Sequence, residues 1–270
     1  MPIIVNSQPQ LGKTTDYRLS IQADLNGFSF SVTDEKQKSL LFLYSSEFLM
    51  DKEDMDSYVK KCSELFATLP LLRSKYSRVN LIYNTEKYSA IPAKLHKKGE
   101  EIKVLCKLHK LDDLDEINTV RVIKENMVIL FAINSTFINM VKEYQPDFNL
   151  YPSVFCHLTY LPLFEEYNKI SFHFIKGVVS ITAAEGDRVI YCNSFPAFHF
   201  NSALYFLLLA LKEVQFNPET TTIYISGNIR DLEIFDIAKY FSKIKYFRNP
   251  EIPLPDQFTE LKYSSLLFEL

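Results

Sequence analysis

Tryptophan is absent from this chain, and glycine is scarce, with 6 residues in 270. So few glycines leave few places for left-handed backbone or long flexible loops. The chain therefore reads as regular elements joined by short turns, with 22 Phe and 16 Tyr to fill its core. Long apolar runs are missing as well. The longest, Leu204 to Leu211, is far short of the roughly 20 residues that a membrane-spanning helix needs. Residues 1–8 carry neither the basic start nor the apolar stretch of a signal peptide. A cytoplasmic protein without a membrane span is the expectation.

Clustered cysteines are also lacking. Cys62, Cys106, Cys156 and Cys192 are far apart and form no CxxC pair, so they read as buried free thiols of a reducing compartment rather than metal ligands. Charge of one sign is not in excess. The 30 Lys and Arg stand against 33 Asp and Glu, a formal charge of −3, and no nucleic-acid partner is expected. One local basic cluster, AKLHKK at 93–98, reads as a solvated helix face.

What is present is the balance of a globular protein, 47% hydrophobic and 23% charged. Residues 1–16 read as an irregular lead-in. Within them, Leu11-Gly12-Lys13-Thr14 has the ending of a phosphate loop, but Ser7 stands where the first glycine belongs, and a strand pattern rather than a helix follows from Tyr17. Residues 18–23 and 28–32 alternate around the turn Asp24-Leu25-Asn26-Gly27, the Asn-Gly signature of a hairpin. A third strand at 40–44 completes a meander. A helix at 52–68 follows, stopped at Pro70, then a buried strand at 79–83. Another helix spans 102–108, a hairpin 119–133, and a helix 137–144 that Pro146 ends. Residues 148–152 are a strand end, and Ser153 to Tyr167 are expected to form one helix.

From Lys169 the same order returns. Three strands turn at 175–178 and 184–187. A helix at 201–215, apolar nearly all round, is expected to be buried on every side. An interior strand at 223–225, a helix at 231–240 and a strand at 244–247 follow. Pro250, Pro253 and Pro255 then space a final helix at 257–268, expected to rest on the second half. Tight turns make the meanders antiparallel, and a helical crossover returns the fourth strand parallel. The fold class is therefore α/β, with domains at 1–168 and 169–270, each a mixed sheet flanked by helices around a shared cleft.

Four stretches, SIQADLNGFSFSV (20–32), NLYPS (149–153), FIKGVVSI (174–181) and YISGN (224–228), carry a resemblance over essentially the whole chain. It resembles an uncharacterised bacterial family of unknown function with the actin-like ATPase fold, two ribonuclease-H-like domains in tandem. That resemblance implies a nucleotide cleft formed by Gln22, Asp24, Asn26, Gly27, Lys176, Gly177, Ser226, Gly227 and Asn228. It also implies that the cleft has degenerated. Gln22 stands at the position of the first hairpin's Asp, the second hairpin offers Ile175, Lys176 and one glycine, and the adenosine loop reads Ser226-Gly227-Asn228 instead of a Gly-Gly pair.

Read as residues alone, Asp24, Asn26 and Gly27 fit a plain hairpin turn as well as a phosphate cradle. Lys176 fits a solvated turn, and Gly227 a requirement of backbone shape. His173 alternates with Phe172 and Phe174, His157 reads as a core histidine, and the acids at 112–116 read as a solvated loop. No catalytic or metal set is assigned. The leading expectation is a non-catalytic interaction or scaffold protein without cofactor, monomeric or dimeric, that binds another protein. The alternative is an ATPase or small-molecule kinase using ATP and Mg²⁺ with divergent motifs. A ribonuclease-H-like nucleic-acid factor would need clustered carboxylates on two metals, which the sequence does not display.

Overall fold

A computed structural model describes residues 2–4, 9–24, 27–48, 55–175, 177–249 and 261–268. The first meander is β2 (Tyr17–Asp24), β3 (Gly27–Asp34) and β4 (Ser39–Glu47), with β1 (Pro2–Ile4) antiparallel on the outer side of β4. The lead-in is thus not wholly irregular. It holds that edge strand, and Leu11–Asp16 wind into a 3-10 turn, not a phosphate loop. Helix α1 (Met55–Thr68) crosses back, α2 (Pro70–Arg73) begins at the proline that ends it, and β5 (Arg78–Tyr83) enters parallel to β2.

An insert follows. Strand β6 (Tyr88–Pro92), unforeseen in the sequence, joins β7 (Asp115–Val122) and β8 (Met127–Asn134) in a three-stranded sheet of order β6-β8-β7. The short α3 (Glu101–Leu105) covers one face of it. Helix α4 (Ser135–Tyr144), whose Phe137 N–H is capped by the Asn134 side chain at 3.2 Å, returns the chain to the first sheet as β9 (Asn149–Pro152). The sheet order is β1-β4-β3-β2-β5-β9.

Helix α5 (Val154–Tyr160) is shorter than its expected span, because Pro162 tightens Leu161–Leu163 into a 3-10 turn before the next strand. The second sheet, of order β12-β11-β10-β13-β14, is built from β10 (Asn168–Ile175), β11 (Gly177–Glu185), β12 (Arg188–Ala197), β13 (Thr222–Gly227) and β14 (Lys243–Tyr246). Helices α6 (Phe200–Glu213) and α7 (Asp231–Ala238) link its last strands. Helix α6 is not buried all round. Its outer face exposes Tyr205 and Leu209, while Ala203, Leu207 and Ala210 enter the core.

The two meanders match position by position. Gln22 pairs with Ser29 as His173 pairs with Ser180, and Ser20 with Ser31 as Ser171 with Thr182. A hydrogen bond from Ser29 to Ser45 (3.2 Å) is repeated between Ser180 and Ser194 (2.6 Å). Strict alternation sends Leu19, Ile21 and Ala23 outward under α1 and α4, and Ile170, Phe172 and Phe174 outward under α6. The opposite faces, Arg18, Ser20 and Gln22 on one sheet and Lys169, Ser171 and His173 on the other, are polar and buried.

Those polar faces are covered by α5 and by the end of the chain. Leu261–Leu267 is a 3-10 turn, not the expected α-helix, and Ser264–Phe268 are buried. Ser31 of the first sheet donates to the Leu266 carbonyl (3.2 Å), and Asn249, just past β14, donates to that of Leu267 (2.8 Å). Phe268 stacks among Tyr160 and Phe247. The segment therefore bridges both sheets instead of resting on one. The proline-spaced 250–255 and the first residues of the expected helix lie outside the described residues.

Candidate functional site

Between the insert and the second meander lies a cavity of about 390 Å³. Its floor is the polar stretch after β5, Asn84 to Lys87, and Gly177 and Val178 of β11 form the facing wall. The Lys87 ammonium sits in it, 2.7 Å from Asp112 Oδ2 and 2.6 Å from Asp115 Oδ2. Burial disfavours that charge, but the hydrogen bonds it donates to the two carboxylates outweigh it and hold the ammonium above its ordinary pKa. The same contact with Lys87 draws the Asp112 carboxyl below its usual range. The acids at 112–116 are thus not simply solvated: two of them lock the lysine of the cleft.

Of the residues expected to hold a nucleotide, Gly177 lines this cavity; it has φ +106° and open space where a Cβ would stand. Gln22 lies on the buried inner face of β2. Asp24 closes the first hairpin opposite Gly27, whose carbonyl accepts from the Tyr58 hydroxyl at 3.2 Å. Burial, then charge from neighbours that include Asp24, raises the pKa of Tyr58 and pushes Cys62 up to about 12. Asn26 and Lys176 lie outside the described residues.

The third group does not form a loop open to the cleft. Ser226 is buried and shares a 2.8 Å hydrogen bond with His173. Gly227 has φ +93°, and a Cβ there would stand 2.1 Å from the Phe174 carbonyl oxygen. The Asn228 amide donates to that same oxygen at 2.6 Å, while its side chain lies at an exposed position. Glycine is required because β13 closes onto β10 with no room for a side chain.

His157 and His173 are core histidines, each bonded through Nδ1 to a serine, Ser171 at 2.7 Å and Ser226 at 2.8 Å. Their Nε2 atoms are buried without a hydrogen-bond partner. Cys62 and Cys156 are buried as expected, whereas Cys106 is exposed. Among the described residues no three His, Cys, Asp or Glu side chains gather as metal ligands would. The cleft residues that sequence reasoning missed are Asn84 and Lys87, whose only signal was a polar break directly after a buried strand; Asp112 and Asp115 belong to the acidic run that the sequence reads as solvated.

The insert also clamps the second sheet. Ser194 of β12 donates to the Tyr88 hydroxyl at 2.9 Å, and the Val189 amide donates to Glu125 at 3.2 Å.

Residues 6–249 match a family described as Protein of unknown function (DUF3822). The chain belongs to that family. No curated protein sequence matches it. A Bacteroides thetaiotaomicron protein, described as having an actin-like ATPase fold and unknown function, shares 21% identity with a TM-score of 0.82, over 96% of this chain and 98% of that one. The PilM–PilN type IV pilus biogenesis complex gives 11% identity and a TM-score of 0.55, over 93% and 96%. The ethanolamine utilization protein EutJ of Carboxydothermus hydrogenoformans gives 12% and 0.50, over 98% and 93%. The family therefore has the actin-like ATPase fold in this chain, as the duplicated meanders foretold. No helix among the described residues is long and apolar enough to cross a membrane.

Proposed function

We propose that this protein is a non-catalytic interaction module that uses the actin-like fold as a rigid scaffold in the cytoplasm, without a nucleotide cofactor. Its two units would divide at Asn168, as 1–168 and 169–270. The observation that carries this reading is the buried segment Ser264–Phe268, held by hydrogen bonds from Ser31 in the first sheet and Asn249 beside the second. A two-domain ATPase needs its cleft to open and close around the nucleotide. Here each opening would expose Leu266, Leu267 and Phe268 together with the polar faces they cover.

The cleft supports the same reading. Phosphoryl transfer rests on positioned positive charge and on metal held by carboxylates at the phosphates. Lys87 is already neutralised by Asp112 and Asp115. The alternative, a divergent ATPase or kinase, would need Asp24 to act from the end of β2.

A protein partner is supported by the outer helical face. Leu232 (74% exposed) and Phe235 (69%) stand out along α7, and Tyr205 of α6 with Tyr240, just past α7, lines a groove that also includes Leu204, Leu208, Asp236 and Lys239. Exposed aromatic clusters of this kind mark protein interfaces. PilM, of similar fold, is described in complex with another protein, PilN.

The test is phosphate release and thermal shift with ATP and Mg²⁺, on wild type, Asp24→Ala and Gln22→Asp. No release and no shift in the wild type is the expected result. Turnover that Asp24→Ala abolishes would overturn the reading and make Asp24 the catalytic carboxylate.

A further inference from the structure

The segment Ala93 to Lys110 is the outermost layer of the insert. Its underside is anchored, with Ala93, Val104 and Leu105 packed on Ile117, Val128 and Leu130 of the three-stranded sheet. Its outer side carries Lys94, Lys97, Lys98, Lys103, Lys107 and Lys110, all exposed. Its two acids are Glu100 and Glu101, and Glu101 is engaged locally, 2.9 Å from His96 Nε2 and accepting from the Gly99 amide at 2.7 Å. So dense a cluster of cations stands out in a chain whose net charge is −3. The acidic run that follows adds Asp112, Asp113 and Glu116 to the nearby surface; the charge of Asp112 is paired with Lys87, and the side chain of Asp115, which also meets Lys87, is largely buried.

Aliphatic side chains stand among these lysines. Leu95 and Leu108 are each 62% exposed and Ile102 54%. Ile123, at 88%, caps the β7–β8 turn, which the Ala93 amide joins by donating to the Asn126 carbonyl at 2.8 Å. Lys124 is exposed on the same turn. The face is thus a field of lysines studded with aliphatic groups that no part of the described protein covers.

Chemistry selects the occupant. Residues 93–110 contain no Arg and no aromatic residue. Nucleic-acid surfaces rely on Arg and on aromatic rings that stack on bases, and protein interfaces are enriched in Arg and aromatics and depleted of Lys. Lysines beside exposed Leu and Ile are what an anionic bilayer surface takes up: the ammonium groups meet headgroup phosphates, and the aliphatic groups enter the acyl boundary. We propose that this face docks the protein peripherally on an anionic lipid surface. It is built from different residues than the α6–α7 face and is independent of the cleft, so it stands or falls apart from the reading above.

The experiment is co-sedimentation of the full chain with phosphatidylcholine vesicles, with and without phosphatidylglycerol, at low and high salt, and with a single-stranded oligonucleotide as competitor. Expected are binding only where phosphatidylglycerol is present and a loss of about tenfold or more at high salt, as screening requires. Lys97→Glu/Lys103→Glu/Lys107→Glu should abolish sedimentation. Leu95→Asn/Ile102→Asn/Ile123→Asn should weaken it about tenfold at unchanged charge, since each leaves an apolar group out of the lipid. These positions are exposed, and an unchanged thermal melt confirms that each variant folds. Lys239→Glu, just past α7, should bind as the wild type. Equal binding to phosphatidylcholine alone, no binding at all, or binding that ignores the aliphatic changes and is displaced by the oligonucleotide would overturn the proposal.

Discussion

The imidazole rings of His157 and His173 lie 4.9 Å apart, centroid to centroid, in the buried layer between the two sheets. Burial, together with His173 beside it, holds the His157 pKa well below its ordinary value; burial lowers His173 to about 4. Both rings are therefore neutral at pH 7. Unfolded, each would take up a proton near the usual pKa of about 6.5. The unfolded state thus binds more protons as the pH falls below that value.

Stability should accordingly be full above about pH 6.5 and decline from there toward pH 4, with His173 alone accounting for roughly 3 kcal/mol of the loss. Thermal melts across that range measure it. His173→Gln, which restores the residue of the matching position Gln22, should flatten this acid limb, and adding His157→Gln should flatten it further. An unchanged slope in the double variant would assign the acid loss to other groups.

Gly227→Ala should be among the costliest single-methyl changes in the chain. A Cβ would stand 2.1 Å from the Phe174 carbonyl oxygen, on backbone with φ +93°. Strain of this kind costs about 2–4 kcal/mol, readable as a shift in the denaturant midpoint. Gly177→Ala, with open space and φ +106°, should cost only the backbone term, of order 1 kcal/mol.

Phe268→Ala tests the buried end of the chain. The ring is fully buried against Tyr160 and Phe247, and such truncations cost about 3–5 kcal/mol. Removal of 264–270 also takes away Leu266 and Leu267, and should leave the protein insoluble or without a cooperative melt. A truncated chain as stable and monodisperse as the full one would mean that the segment does not tie the sheets together.

Tyr88→Phe removes the hydroxyl that accepts from Ser194 and lies 3.6 Å from the Cys192 sulfur. A loss of about 1 kcal/mol is expected. Because this contact joins the insert to the second sheet, amide exchange should quicken on both β6 and β12 in the variant. Quickening on β6 alone would show that the two move independently.

Much of the fold was legible from local pattern. Alternation in 18–23 and 28–32, the Asn-Gly turn and the repeated order from Lys169 specified two meanders and their crossovers, because side-chain period and turn chemistry act over a few residues. What the tertiary structure decided rests on contacts between distant segments. Strand β6 escaped notice because it is short and ends in Pro92, and with it went the cleft, since Lys87 meets Asp112 and Asp115 only once β6 and β7 share a sheet. Hydropathy marked α6 as apolar but could not say which face the sheet would cover and which would be left to solvent as Tyr205 and Leu209. The end of the chain shows this most plainly. Its apolar residues, by themselves, called for cover, whereas the choice of cover, both sheets at once, was made by Ser31 and Asn249, far apart in sequence, meeting adjacent carbonyls of one short turn.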